Sequence, residues 1–259
     1  MFPLLGLFVF AFGTIIGSFL NAVLWRLRTG EGVVYGRSYC PCCRHTLAAR
    51  DLVPVLSYLL LRGKCRYCRK GIHPSYLAVE IVMGTLFVAF AAPLLPLAAI
   101  NGASLAKLLL EWYFASILVL IFVYDLRYML IPRSATMWAS VIAGIGGLFL
   151  GARPIPLAVG FLVGGGVFWL QYVVSKGKWI GGGDISLGAL MGLMLGWPRI
   201  LVALFLAYVS GAFVGVILLL AKKRSWQSQV PFGTFLTAAT VVTLLWGDKI
   251  LAWYLGLTI

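Results

Sequence analysis

Residues 105–127, LAKLLLEWYFASILVLIFVYDLR, run from Trp112 to Tyr124 without a charge and then meet an acid, Asp125. An apolar helix of about 20 residues spans the roughly 30 Å hydrocarbon core of a bilayer. Comparable runs occur at approximately 2–25, 76–99, 135–151, 155–174, 184–197, 199–221 and 232–256. Together with 105–124 they predict eight spans, the sixth short and parted from the seventh by Trp197-Pro198. The expected fold class is an all-α polytopic membrane protein. Gly164, Gly165 and Gly166 fall inside the fifth run, where small residues let two helices approach closely.

Composition agrees. The chain is 62% hydrophobic and only 11% charged, against about 25% charged in a soluble domain. Its 21 Lys+Arg and 7 Asp+Glu cannot coat a water-soluble globule, and the apolar content excludes a disordered chain. A net charge of +14 would suggest nucleic acid if read alone. In a membrane chain the distribution of the basic residues gives orientation instead.

Residues 26–75 hold ten Lys/Arg, two acids (Glu31 and Asp51), both His (His45 and His73) and all five Cys. This is a polar insert, dividing the chain into a first span (1–25), the insert (26–75) and a seven-helix membrane domain (76–259). With the insert in the cytoplasm, its side gathers seventeen Lys/Arg, including Arg127, Arg133, Lys176, Lys178, Lys222, Lys223 and Arg224. The other side has Lys107, Arg153, Arg199 and Lys249. That positive-inside bias puts both termini outside and requires an even number of spans. Residues 1–25 lack a basic leading segment and a small-residue cleavage site, so they are expected to be a retained span.

Within the insert, Cys40/Cys43 and Cys65/Cys68 form two C-x-x-C pairs. Each pair suits a tight knuckle aiming two thiolates at one ion, and two knuckles complete a tetrahedral zinc site. Disulfides or free thiols are the alternatives, and a reducing cytoplasm disfavours disulfides. Cys42 is spare, although an exchange with a neighbour in ligation is open. Four protein ligands leave no position for water, so the expected role is structural. His45 and His73 read as loop residues.

Outside the insert only Glu80, Glu111, Asp125, Asp184 and Asp248 are acidic. Asp125 ends the third span, and Asp184 opens the sixth after Gly181-Gly182-Gly183. By the topology above they share one membrane face. Two close carboxylates in a poorly solvated site hold one proton between them. The ionised member can activate water while the protonated one polarises a scissile carbonyl. The glycines would let a substrate backbone approach closely. As alternatives, Asp184 is a helix cap and Asp125 an interfacial partner of Arg127.

These residues resemble the type IV prepilin peptidases of the GxGD membrane aspartyl protease group. Gly181-Gly182-Gly183-Asp184 matches the naming motif, and Asp125-Leu126-Arg127 with Ile131-Pro132 is similar to the block around the first aspartate. Gly17-Ser18-Phe19-Leu20-Asn21 with Arg26 resembles the opening signature. The paired C-x-x-C motifs around Asp51–Tyr58, then Tyr76 and Glu80, continue it in order. Three positions depart from the pattern: Ser186 where Lys is frequent, Arg133 where Asp or Asn is frequent, and Thr234 in place of the Pro of Pro-Phe-Gly-Pro.

The resemblance implies cleavage of prepilin or pseudopilin leaders at the cytoplasmic face of a bacterial inner membrane, serving type IV pili or protein secretion. It also implies N-methylation of the new terminus with S-adenosylmethionine, for which Arg26 and Glu80 are candidate contributors. A proton- or ion-coupled transporter and a non-catalytic assembly scaffold are the competing classes. No stacking pattern for nucleic acid is present, and none is expected as a partner.

Overall fold

A computed structural model describes residues 2–32, 36–95, 100–221 and 230–256. Lys222, Lys223 and Arg224, three of the basic residues used for orientation, lie outside the described residues. Among the described residues there is no β-strand, and each of the eight apolar runs forms a helix. In chain order they are α1 (Phe2–Thr29), the short α2 (Leu56–Leu60) in the insert, α3 (Ser75–Ala91), α4 (Gly102–Tyr128) and α5 (Arg133–Phe149). They continue as α6 (Pro154–Ser175), α7 (Gly182–Leu195), α8 (Arg199–Leu220) and α9 (Phe232–Tyr254).

Six of them (α1, α3, α4, α6, α8 and α9) are long and apolar enough, by length and composition, to cross a membrane. The chain is a multi-pass membrane protein. With 17 and 14 residues, α5 and α7 reach only about 25 and 21 Å at 1.5 Å per residue. Their shortness arises at helix ends. Pro132 fixes where α5 begins, and Gly196, with φ +67°, ends α7 while its N–H bonds to Gly192. Proline also precedes or opens α3, α6, α8 and α9, where its missing N–H costs no helical bond.

Two compact units divide the chain at Ser116/Ile117, within α4. In the first, α1 packs on α3. A Cβ on Gly13 would lie 2.7 Å from the Met83 carbonyl oxygen, and one on Gly17 would lie 2.8 Å from Glu80 Cα. The helices therefore meet backbone to backbone at these glycines. Trp112 stacks on Phe87, with 4.7 Å between ring centroids, and donates to its carbonyl.

In the second unit α7 is the central element, packed on α5, α6, α8 and α9. Gly160 and Gly164 of α6 face Gly192 and Gly188 of α7 so closely that a Cβ on any of them would overlap the opposing backbone. This is the small-xxx-small contact of membrane helices. Of the three consecutive glycines, Gly164 makes it, Gly165 touches Ala189, and Gly166 faces open space. Gly164→Leu is therefore expected to destabilise the protein by at least the 1–3 kcal/mol typical of overpacking. Gly166→Ala should leave the melting temperature in detergent near wild type.

Polarity is arranged inward. Thr234, Thr237, Thr240 and Thr243 line one face of α9 and are buried. The last three close their hydroxyls on carbonyls four residues earlier. Phe149, Phe205 and Phe213 point outward.

Candidate active site

Asp125 occupies the last turn of α4 and is 4% exposed. Its partner is the start of α9. Pro231, the residue before that helix, supplies no capping side chain, so the first-turn N–H groups need acceptors from elsewhere. Asp125 Oδ2 accepts the Thr234 N–H at 3.0 Å, and the Gly233 N–H also donates to this carboxylate. A Cβ at Gly233 would stand 2.9 Å from Oδ2, so glycine is what lets the acid reach the helix end.

Asp184 lies in the first turn of α7, at its third position rather than at the cap itself, and is 8% exposed. Its Oδ2 accepts the Gly181 N–H at 3.0 Å. Both acids thus sit at helix N-termini, where the aligned peptide dipoles favour negative charge. Ile131 joins the two places: its side chain lies 2.9 Å from a Cβ built on Gly183 and 3.3 Å from one built on Gly233. The Asp184 charge acts on Asp125. The two acids that the sequence singles out are brought to one neighbourhood within one unit.

The residues at the three departures make contacts of their own around the two acids. Ser186 Oγ donates to the Gly183 carbonyl at 2.8 Å and lies 3.4 Å from Thr136 Oγ1, fixing the start of α7. A Cβ on Gly182 would meet the Arg133 guanidinium at 3.2 Å. Thr234 Oγ1 bonds to the Pro231 carbonyl. Tyr208 of α8 was not apparent from sequence. It feels the Asp184 charge, accepts a hydrogen bond from Gln171 and packs on Phe232 with ring centroids 5.2 Å apart. A lone phenol in an otherwise apolar run was the available signal.

In the insert, Cys40, Cys43, Cys65 and Cys68 bring their sulfurs within 4.8 Å of one another. A tetrahedral ion with bonds near 2.3 Å needs sulfurs about 3.8 Å apart, and the Cys40–Cys68 separation is 3.9 Å. The two knuckles are copies. Arg44 N bonds to Cys40 O and Arg69 N to Cys65 O, and both arginines have φ +59°. The His45 backbone N–H favours the Cys43 thiolate, but desolvation and the Cys40 and Cys68 sulfurs outweigh it and push the thiol up to about 11. Four clustered thiols suit a cation. Cys42 is exposed and outside the cluster, His45 lies against Tyr67, and His73 Nδ1 bonds to Ser75.

Asp51 organises the insert by accepting from Arg66 at 2.6 Å, Tyr67 at 2.8 Å and the Ala48 N–H at 3.1 Å. Partial burial opposes its charge, yet these donors hold its carboxyl below the usual range. Stability from a depressed carboxylate is present above the unfolded value near 3.9 and is lost as pH falls through the lower folded value. Asp51→Asn should therefore weaken the insert at neutral pH and flatten the acid limb of its melting curve below about pH 4.

Arg26 and Glu80 both border a cavity of about 540 Å³ in the first unit. Arg26 donates to Gly36 O at 2.7 Å. Glu80 is buried and takes the Ser18 hydroxyl and, at 2.7 Å, the Val55 N–H. Val55 has φ +61°, a conformation β-branched residues rarely adopt, and the carboxylate holds its N–H there. The opening signature thus has physical content: Gly17 admits Glu80, Ser18 bonds it, and Asn21 donates to the Tyr76 carbonyl at 3.0 Å.

Known protein families match both parts of the chain. Residues 11–94 match the bacterial peptidase A24 N-terminal domain, and residues 112–216 match the type IV leader peptidase family. A prepilin leader peptidase/N-methyltransferase of Aeromonas hydrophila is 35% identical, over 95% of this chain and 92% of its own length. Proteins of the same name from Bacillus subtilis (strain 168) and Pseudomonas putida are 30% and 33% identical, covering 97% and 93% of this chain and 98% and 90% of their own. No solved structure matches. With both domains matched in order and relatives aligned over nearly the full length, the chain belongs to the type IV leader peptidase family.

Proposed function

We propose that this protein is an aspartyl endopeptidase of a bacterial inner membrane that removes the leader of prepilin or pseudopilin substrates and then N-methylates the new terminus. The observation that carries the peptidase reading is the convergence of Asp125 and Asp184 at two helix N-termini within one unit. One carboxylate takes a proton from water as its oxygen joins the scissile carbonyl carbon; the other gives its proton to the carbonyl oxygen. Collapse then breaks the C–N bond and the leaving amine regains a proton. Gly181 and Gly182 would lie beside the substrate backbone, and Tyr208 and Phe232 offer an apolar wall for its hydrophobic segment.

Zinc is the ion assigned to Cys40, Cys43, Cys65 and Cys68, with a structural role because no ligand position stays open. S-adenosylmethionine supplies an electrophilic methyl group when bound, and Arg26 and Glu80 are the residues proposed to serve that step. The charge asymmetry of the sequence supports placing the insert (26–75) and both aspartates on the cytoplasmic side, with the seven helices of 76–259 carrying the peptidase site. A transporter would set its acids near the midplane of inverted repeats, whereas these two cap helix ends.

Incubating the purified protein with a prepilin tests the reading. Cleavage should occur at one bond, and added S-adenosylmethionine should make the mature product one methyl group heavier. An intact substrate after prolonged incubation with active-site-intact protein would overturn the peptidase reading.

A further inference from the structure

The cavity of the first unit holds two buried acceptors that lack the partners their chemistry calls for. Asn21 Oδ1 is buried with no hydrogen-bond partner, the only such side-chain atom among the described residues. Its orientation is set, because Nδ2 donates to Tyr76 O. Glu80 is a buried carboxylate whose donors, Ser18 and the Val55 N–H, are neutral, and no ion pair reaches it among the described residues. The other acid on the wall, Asp51, is already paired with Arg66. A buried carboxylate with only neutral donors, beside an orphaned acceptor, is an incomplete site for a cation.

The rest of the wall narrows the ligand. Trp25 and Tyr76 line the same cavity and offer aromatic faces, which attract cations and stack on planar rings. Arg37 and Lys70 of the wall are exposed and Arg26 is half-buried, whereas Asn21 and Glu80 are buried. The volume of about 540 Å³ falls within the range of small-molecule clefts. S-adenosylmethionine matches this layout: a sulfonium for the acceptors, a carboxylate for the arginines and an adenine ring for the aromatic faces.

We infer that this cavity is the S-adenosylmethionine site, with Glu80 and Asn21 Oδ1 facing the cationic sulfonium and so selecting for the charged methyl donor over its neutral-sulfur product. The assignment rests on the methyl-transfer activity proposed above. Ser18, Asn21, Ala22 and Trp25 lie at helical spacing on α1, and Tyr76 and Glu80 are four apart on α3, so one face of each helix builds the pocket.

Calorimetric titration of the zinc-loaded protein in detergent tests this without turnover. Wild type should bind S-adenosylmethionine at least about tenfold more tightly than S-adenosylhomocysteine, whose sulfur is uncharged. Glu80→Gln keeps an amide oxygen for the Val55 N–H, so it should remove that preference while leaving S-adenosylhomocysteine affinity within about twofold. Equal weakening of both compounds, or an unchanged preference, overturns the role of Glu80. Hydrogen exchange of wild type with and without S-adenosylmethionine is independent of whether the variant folds. Protection should appear in 18–26 and 74–80, and protection confined to other segments overturns the site. If wild type binds the donor and methylates product but protection lies elsewhere, this assignment alone fails. If it cleaves prepilin yet neither binds the donor nor methylates, the methyl-transfer reading fails with it.

Discussion

Asp125→Asn and Asp184→Asn are each expected to slow leader cleavage by about 1,000-fold or more, the scale of losing a positioned general acid or base. Asparagine is the informative replacement because its amide oxygen can still accept the backbone N–H groups at the two helix starts. If the acids are only caps, the Asn variants should cleave normally, since Asn caps as well as Asp. If they share a proton across the scissile bond, neither amide can replace its acid, and activity is lost while the melting temperature stays near wild type. Single-turnover cleavage of prepilin, read beside a thermal melt in the same detergent, separates these outcomes.

The second large effect concerns the metal. Purified protein should carry one zinc per chain, and Cys65→Ser should leave under half an equivalent by elemental analysis. Cys65 is buried, and the insert has few other sources of stability: its one short α-helix has no buried residue, and much of its remaining surface is exposed. Zinc in small domains contributes roughly 10–16 kcal/mol of folding energy, so its loss should unfold the knuckles. Limited trypsin digestion should cut Cys65→Ser, or chelator-treated wild type, within residues 44–70, where arginines and lysines are dense, and leave zinc-loaded wild type intact. Resistance of chelated protein would show that the insert folds without metal.

Much of this was legible in the sequence, because hydropathy and cysteine spacing are local signals. Apolar runs mark each helix, and two C-x-x-C pairs in one basic segment mark the four cysteines that cluster. The pairing of Asp125 with Asp184 was also legible, since so few acids are available. The contacts that hold the two acids were not. Asp125 is fixed by the Thr234 N–H, 109 residues away, and Ile131 lies against two glycines from different helices; neither leaves a periodic trace. Span length was less legible for a related reason. Hydropathy sees α5 and α7 as apolar, but their lengths are set by Pro132, Gly181 and Gly196. Glu80 becomes the holder of Val55 only once the insert is folded, a contact 25 residues away in sequence.

The central claim is that Asp125 and Asp184 work as one catalytic unit. Single-turnover cleavage of one prepilin by wild type, Asp125→Asn, Asp184→Asn and the double variant tests it most directly. Residues that act together are strongly non-additive, so the double variant should be no more than about threefold slower than the slower single. Full multiplication of the two effects, or near-wild-type cleavage by either single variant, would contradict the account.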